Sequence, residues 1–386
     1  MFEIDRAAGL VNEGDDTRLQ NVMRRAAAGE RLTVGFIGGS ITQGSLASVP
    51  ENCYAYRVYS WWRDTFAKAD VTYLNAGIGA TTSQFGAARV RTDLLIHHPD
   101  VVFVEFSVND ESNEHFLETY EGLVRQILAA ENAPAVVLIH NVCYNNGASA
   151  QLIHQRVGRH YGLPCVSMQN TIYPELLSGR IPNREITPDD LHPNDAGHEL
   201  VASVITCYLE KVRDRVLAGN ADKREKEAAE REMPAPFTLN SYERSVRIDC
   251  CSIPELREDF PALIEAEGFA PDLRPKQGVT DNFKNGWTAS AAGAHMVFEL
   301  EGTGVSVQFR RSVNQPAPIA EIVVDQDPAT RKILDANFDE TWGDKLELLT
   351  VTEHMPRGIH RVEVRLIETH ADDAVPFYLN AVIMAN

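Results

Sequence analysis

The sequence has few of the features that mark secreted or membrane-bound proteins. No apolar run approaches the roughly 18–20 residues needed to cross a bilayer. The first residues, MFEIDRAAGLVNEGDD, lack a basic start followed by an apolar stretch. The six cysteines show no CxxC spacing, and we interpret them as reduced thiols. We therefore expect a cytoplasmic protein that does not bind a membrane.

Positive charge is also scarce. The chain has 36 lysines and arginines against 55 aspartates and glutamates, which gives a formal net charge of −19. Such a surface repels phosphate backbones, so nucleic-acid partners are disfavoured and neutral substrates are slightly favoured. No GxxxxGK[ST] phosphate loop is present, and the histidines show no metal-ligand spacing with carboxylates or thiols. We expect no cofactor and no metal.

The first part of the chain alternates short apolar runs with longer amphipathic stretches. This alternation predicts a doubly wound α/β domain over residues 1–219, with right-handed crossovers. Runs rich in Val, Ile and Leu without alternation are typical of strands that helices cover on both faces. The five runs predicted as parallel strands are Leu32–Ile37, Val71–Asn75, Val101–Glu105, Ala135–Asn141 and Leu163–Val166.

The pattern changes after a long predicted helix that ends at Leu217. Residues 220–232 are almost wholly polar and precede the proline-containing MPAPF, which predicts a charged helical linker over residues 220–235. Short runs that alternate apolar and polar residues then predict an antiparallel β-sandwich over residues 236–386. These runs are His295–Leu300, Val305–Arg310, Ile319–Val324, Leu346–Thr352, Ile359–Ile367 and Phe377–Met384.

The first motif with chemical potential follows the first predicted strand. That strand ends in Gly38-Gly39-Ser40, where glycines let the backbone turn sharply and leave room for a substrate beside the serine. Ligands bind at the carboxyl ends of strands in open α/β sheets, so Ser40 is a candidate nucleophile. By itself the pattern fits equally well a plain turn with Ser40 as a helix N-cap.

Two further motifs follow the second and third predicted strands. Gly79 and Ala80 lie among small residues whose backbone N–H groups can hold an oxyanion, and Asn109 offers a side-chain N–H at the same edge. Each also fits an ordinary structural turn. Three acidic residues follow Asn109 and are interpreted as helix caps or cleft-rim residues rather than metal ligands: Asp110, Glu111 and Glu114.

The fourth motif is Asp189-Asp190-Leu191-His192, just before the long helix. A carboxylate three residues before a histidine can reach the imidazole within one loop and fix its tautomer. His192 can then act as a general base toward a serine. The alternative interpretation is a helix start at which acidic residues favour the positive end of the dipole.

Together and in this order, the four motifs resemble the four blocks of the SGNH (GDSL-type) hydrolases over about residues 30–215. The resemblance implies a flavodoxin-like, three-layer α/β/α domain with a five-stranded parallel sheet. It also implies ester hydrolysis through an acyl-enzyme. The implied roles are nucleophile for Ser40, base for His192, orienting acid for Asp189, and oxyanion donors from Ser40, Gly79 or Ala80, and Asn109.

The chain departs from the family pattern at three positions. The usual Gly-Asp-Ser is Gly38-Gly39-Ser40, which is more similar to carbohydrate O-acetylesterase branches than to lipase branches. The usual glycine of the second block aligns with Ala80, so the amide that serves as donor is open between Gly79 and Ala80. The glycine that usually lies two residues before the Asn is Ser107.

The second predicted domain bears on the substrate. It resembles the jelly-roll-like, carbohydrate-binding-type modules of bacterial polysaccharide-deacetylating enzymes, which implies an acetylated manno- or xylo-oligosaccharide as substrate. Trp342 in a loop could stack on a sugar, or it could fill a domain interface. Esterases for other acyl groups (a sialate O-acetylesterase, an aryl or a thioester hydrolase) and a non-catalytic carbohydrate-binding protein remain alternatives, and homo-oligomerisation is left open.

Overall fold

The chain divides into two compact units, Met1–Asn240 and Ser241–Asn386. The computed structural model describes residues 2–219, 232–252 and 263–386. Most of the predicted linker, residues 220–231, lies outside the described residues.

The first unit is built from alternating strands and helices. Its strands are β1 (Leu10–Asn12), β2 (Arg31–Gly38), β3 (Asp70–Gly77), β4 (Val101–Glu105), β5 (Ala135–His140) and β6 (Cys165–Ser167). Its α-helices within the described residues are α1 (Thr17–Ala27), α2 (Ser40–Gln43), α3 (Tyr54–Thr65), α4 (Ser83–Asp93), α5 (Glu114–Leu128), α6 (Gln151–His160), α7 (Ile172–Leu177), α8 (Asn183–Ile186) and α9 (Asp195–Leu217). No helix in these described ranges has the length and apolar character that a membrane span requires.

The sheet of the first unit has the strand order β1-β6-β5-β4-β2-β3. Strands β2 to β6 are parallel, so the five predicted strands and their flavodoxin-like order are confirmed. The sequence did not predict β1, which adds an antiparallel edge strand by pairing with β6. A strand of three residues is too short to show a pattern of apolar residues, so the sequence does not predict it.

Helices cover both faces of this sheet. Helices α1, α3 and α9 pack on one face, and Tyr54, Val58 and Trp62 of α3 are fully buried there because they recur every four residues. Helices α4, α5 and α6 lie on the other face. All residues of β4 and β5 are buried, as expected for strands between two helical layers.

The chain that follows the undescribed segment packs on the first unit. The backbone N–H groups of Phe237 and Thr238 donate to the Glu121 carboxylate of α5, each at 3.0 Å, and Arg125 donates to the Pro234 carbonyl at 2.7 Å. These bonds explain why the second unit begins at Ser241 and not at residue 236, where the sequence pattern placed it.

Over its described residues, 241–252 and 263–386, the second unit forms two antiparallel sheets that share one apolar core, which confirms the predicted sandwich. The strands are β7 (Val246–Ile248), β8 (Leu263–Glu267), β9 (Ala270–Pro271), β10 (Trp287–Ala289), β11 (His295–Gly302), β12 (Gly304–Arg311), β13 (Ile319–Val324), β14 (Lys332–Asp335), β15 (Lys345–Thr352), β16 (Gly358–Glu368) and β17 (Phe377–Ala385). One sheet has the order β15-β12-β17-β10-β9 with β7 added to β17, and the other has the order β14-β13-β16-β11-β8.

Gly77, at the end of β3, provides a test of how closely β3 and α2 approach. A Cβ added there would lie 2.3 Å from the Gln43 nitrogen, in contact with backbone that cannot rotate away. We expect Gly77→Ala to lower the free energy of unfolding by about 1–3 kcal/mol, measured by urea denaturation. Gly358→Ala is the matched control, since its Cβ would lie 3.9 Å from the Pro356 carbonyl oxygen, an ordinary van der Waals contact. Equal midpoints for the two variants would contradict this close approach.

Candidate active site

The candidate nucleophile lies where the strand order of the sheet reverses. Ser40 is the first residue of α2 and directly follows β2, and β2 lies between β3 and β4. After β2 the chain continues to β3 on one side of the sheet, and after β4 it continues to β5 on the other side. The two connections diverge, which opens a crevice at the carboxyl ends of β2 and β4. The motifs that contain Ser40 and Asn109 follow these two strands, so the fold itself brings them to one place.

A continuous chain of hydrogen bonds joins Ser40 to the histidine loop. The Nε2 atom of His192 lies 2.8 Å from Ser40 Oγ, across 152 residues of sequence. The Nδ1 atom of His192 lies 2.6 Å from Asp189 Oδ2. Because a carboxylate can only accept, the proton of the neutral imidazole is on Nδ1, and Nε2 accepts from the serine hydroxyl. The predicted Ser40, His192 and Asp189 are thus brought together.

The Asp189 carboxylate is held by several donors within its own loop. Its Oδ1 atom accepts from the backbone N–H groups of His192 at 2.7 Å and Leu191 at 3.0 Å. Partial burial raises the pKa of Asp189, but the hydrogen bonds from His192 and Leu191 outweigh it, so the pKa lies below its ordinary value. Asp189 therefore stays ionised and accepts a hydrogen bond from His192 Nδ1.

Residue Asp190 shapes the turn between the acid and the base. Its backbone is left-handed, with φ 68°, and its carbonyl accepts from the Tyr144 N–H at 2.7 Å. Its carboxylate is bound by Asn183 and Arg184 of α8. Left-handed backbone is uncommon for residues other than glycine, and these contacts hold it in place.

Asn109 lies directly against the turn that precedes the nucleophile. A Cβ added at Gly39 would fall 2.2 Å from Asn109 Oδ1. Glycine at position 39 therefore lets the Asn109 side chain pack beside the backbone that leads into Ser40. An aspartate at position 39, as in the usual Gly-Asp-Ser, would place its Cβ in the space that Asn109 Oδ1 occupies in this chain.

The loop that contains Gly79 and Ala80 is also adjacent to Ser40. The Gly79 N–H donates to Gln43 Oε1 at 2.6 Å, and Gln43 lies on α2 three residues after Ser40. Ala80 follows with φ 55°, in the left-handed region that glycine normally occupies. The sequence did not single out Gln43, because a glutamine three residues after a serine has no distinctive signature.

A second group of contacts ties the loop after Ser40 to the start of α9. The Asp195 carboxylate accepts from the Ser48 N–H at 2.8 Å and from Asn52 Nδ2 at 2.9 Å. His198 accepts from the Tyr54 N–H at Nδ1 and donates from Nε2 to the Ser45 carbonyl. Burial lowers the pKa of His198 to about 4, so it is neutral in this role.

The sandwich has two features that bear on ligand binding: the predicted sugar-stacking residue Trp342 and a group of possible metal ligands. Trp342 is 59% exposed and packs edge-to-face on Phe338, with ring centroids 5.2 Å apart. Within the described part of the chain, one trio has ligand-type atoms within 4.8 Å of one another: Glu265, Glu267 and His295. Both glutamates are exposed, and His295 already pairs with Glu265 at 3.1 Å.

Comparison with known proteins places the chain in a family. A family described as GDSL-like Lipase/Acylhydrolase matches residues 36–200. The chain is similar over its whole length to a two-domain esterase (CEX) active on acetylated mannans, with 56% identity, 99% of that chain covered and a TM-score of 0.92. A structure of such an esterase co-crystallized with mannopentaose matches at 55% identity over 100% of this chain and 99% of that chain, with a TM-score of 0.91. No curated protein sequence matches the chain.

Ala80 allows a test of the loop conformation. A left-handed backbone costs alanine roughly 1–2 kcal/mol, part of which is offset by the greater chain entropy that glycine loses on folding. We expect Ala80→Gly to raise the free energy of unfolding by up to about 1 kcal/mol, measured by chemical denaturation. Ala88→Gly within α4 is the control and is expected to lower it by about 1 kcal/mol. A loss of stability in Ala80→Gly would argue against the left-handed turn.

Proposed function

Because the chain belongs to the GDSL-like lipase/acylhydrolase family, we propose that it is a serine esterase that removes acetyl groups from manno-oligosaccharides. The observation that carries this proposal is the unbroken chain of hydrogen bonds from Asp189 through His192 to Ser40. Three residues of the required types, with the required donor directions, meet at the carboxyl edge of the sheet.

The geometry supports a two-step mechanism. Ser40 Oγ attacks the acetyl carbonyl carbon while its proton moves to His192 Nε2. The protonated His192 gives that proton to the departing sugar oxygen, and an acetyl group remains on Ser40. A water molecule then loses a proton to His192 and attacks the acetyl carbon. His192 returns that proton to Ser40 Oγ as the acyl bond breaks, which releases acetic acid, ionised as acetate at neutral pH, and restores Ser40. Asp189 keeps the imidazole oriented and stabilises its charged form.

We propose that the oxyanion is held by the Ser40 and Ala80 backbone amides and the Asn109 side chain. Of the two loop amides that the sequence left open, that of Gly79 is engaged with Gln43 Oε1, which favours Ala80. Asn109 packs against the nucleophile turn. Donors placed in advance cost no reorganisation when charge develops on the carbonyl oxygen.

The substrate assignment is supported by similarity along both units. The 56% identical esterase is active on acetylated mannans, and the match includes the sandwich as well as the hydrolase unit. The acidic surface is compatible with a neutral sugar. All six cysteines are free thiols, which supports a cytoplasmic site of action on imported oligosaccharides.

Acetate release tests the activity and the substrate together. We expect the wild-type protein to release acetate from acetylated manno-oligosaccharides faster than from acetylated xylo-oligosaccharides or O-acetylated sialic acid. Ser40→Ala should abolish release, and Asn109→Ala should lower kcat by about 10²–10³-fold, because one oxyanion donor is lost. Hydrolysis by Ser40→Ala at the wild-type rate would disprove the mechanism.

Labelling by a fluorophosphonate probe, which reacts with activated serines, tests the alternative of a non-catalytic binding protein. Absence of Ser40 labelling would favour that alternative.

Trp342 is proposed as a sugar-stacking residue on the sandwich unit. Its exposed indole offers an apolar face of the kind that pyranose rings pack against. We expect Trp342→Ala to raise KM for acetylated manno-oligosaccharides about tenfold, equivalent to ~1.4 kcal/mol, and to leave hydrolysis of p-nitrophenyl acetate unchanged. Trp342→Phe should preserve most of the affinity. Unchanged KM for both substrates in Trp342→Ala would remove Trp342 from the binding site.

A further inference from the structure

One buried carboxylate connects the two loops that supply the proposed oxyanion donors. Asp110 directly follows Asn109, and its Oδ1 atom accepts from the Ser83 N–H at 2.9 Å. Ser83 is the first residue of α4 and comes three residues after Ala80. Asp110 therefore caps the helix that follows the other loop, although 27 residues separate it from Ser83 in sequence.

A histidine from the next layer holds this carboxylate from the other side. His154 Nε2 of α6 lies 3.0 Å from Asp110 Oδ2, and both side chains are 0% exposed. Burial raises the pKa of Asp110 to about 7 and lowers that of His154 to about 3, so His154 is neutral and shares one hydrogen bond with Asp110 through Nε2. The His154 ring stacks on Tyr120 with centroids 3.5 Å apart.

We propose that Asp110 and His154 are positioning residues for the oxyanion hole, which fix the Ala80 loop and Asn109 relative to each other. This inference rests on the proposed esterase function. Donors act on the transition state only when they are placed within a fraction of an ångström, and a displacement of about 1 Å can cost 10²-fold in rate. Asp110 accepts from the first backbone N–H of the helix that directly follows the Ala80 loop, and it is covalently joined to Asn109.

A matched aspartate distinguishes positioning from simple helix capping. Asp15 Oδ1 accepts from the N–H of Thr17, the first residue of α1, at 3.0 Å. The Asp15 N–H donates to the Gly162 carbonyl, just before the amino end of β6 and therefore at the opposite edge of the sheet from Ser40. Both aspartates thus accept the first N–H of a helix, but only Asp110 connects to the proposed site.

The test compares full-length Asp110→Ala, Asp15→Ala and Asp110→Asn proteins by p-nitrophenyl acetate kinetics and thermal unfolding. We expect Asp110→Ala to lower kcat by about 10–100-fold with little change in KM, because donors to the transition state are misplaced. Asp15→Ala should unfold at lower temperature and keep the wild-type kcat. Asp110→Asn should recover most of the loss, since an amide oxygen can still accept from Ser83 and His154 can switch tautomer.

A second pair of measurements keeps the inference testable if Asp110→Ala does not fold. His154→Phe preserves the ring on Tyr120 but removes the hydrogen-bond partner of Asp110 Oδ2, and it should lower kcat without raising KM. In an Asn109→Ala background, loss of the Asp110 side chain should cost less than in the wild type, because the two residues act through the same donors. Wild-type kcat in folded Asp110→Ala or His154→Phe, or fully multiplicative losses with Asn109→Ala, would overturn the inference.

The outcome remains separable from that of the proposed function. These kinetics need only Ser40-dependent hydrolysis of p-nitrophenyl acetate, so an esterase with a different natural acyl substrate would still test the positioning pair. If the wild-type protein shows no hydrolysis beyond that of Ser40→Ala, the proposed function and this inference both fail.

Discussion

The parallel pairing of β2 with β4 is the constraint on which the rest of the site depends. It joins Val34–Gly38 to Val101–Glu105 in register and brings two strand ends to the same edge. At that edge β2 leads into Ser40, and β4 leads into the turn that contains Asn109. Every other part of the site is added to this pair: His192 comes from a loop before α9, and the Gly79–Ala80 loop comes from β3. A shift in that register would separate Ser40 from Asn109 even if the loops kept their conformations.

The sequence predicted the elements whose signal is local. Buried parallel strands are continuous apolar runs, so Val101–Glu105 was placed to the residue, and the order of the four motifs indicated the SGNH family correctly. The nucleophile and the Asp–His pair could be proposed because each depends on residue type and short spacing, and the structure brings them within hydrogen-bond distance. Sequence alone could not have supplied the distance between them, which is set by the whole domain.

What the sequence missed depends on contacts made across the fold. The sequence predicts that Asp110 caps a helix or lines the cleft rim. It does cap a helix, but that helix is α4, which precedes Asp110 in the sequence, whereas α5 is capped by Asn113. Ala80 is not a residue type that signals left-handed backbone, so its conformation had no sequence marker. The second unit begins five residues later than the sequence pattern predicts, because Glu121 binds the backbone N–H groups of Phe237 and Thr238 and holds them on the first unit. Every residue except proline has a backbone N–H, so these contacts leave no mark in the sequence.

The separation between Ser40 and His192 has a consequence for the protein during its synthesis. The base is translated 152 residues after the nucleophile, which at roughly 5–20 residues per second corresponds to about 8–30 s on the ribosome. Throughout that interval the nascent chain has Ser40 without the proposed base, on a sheet that still lacks its covering helix α9. The proposed hydrolytic chemistry therefore requires that the first domain is nearly complete, and fragments that end before His192 lack the proposed base.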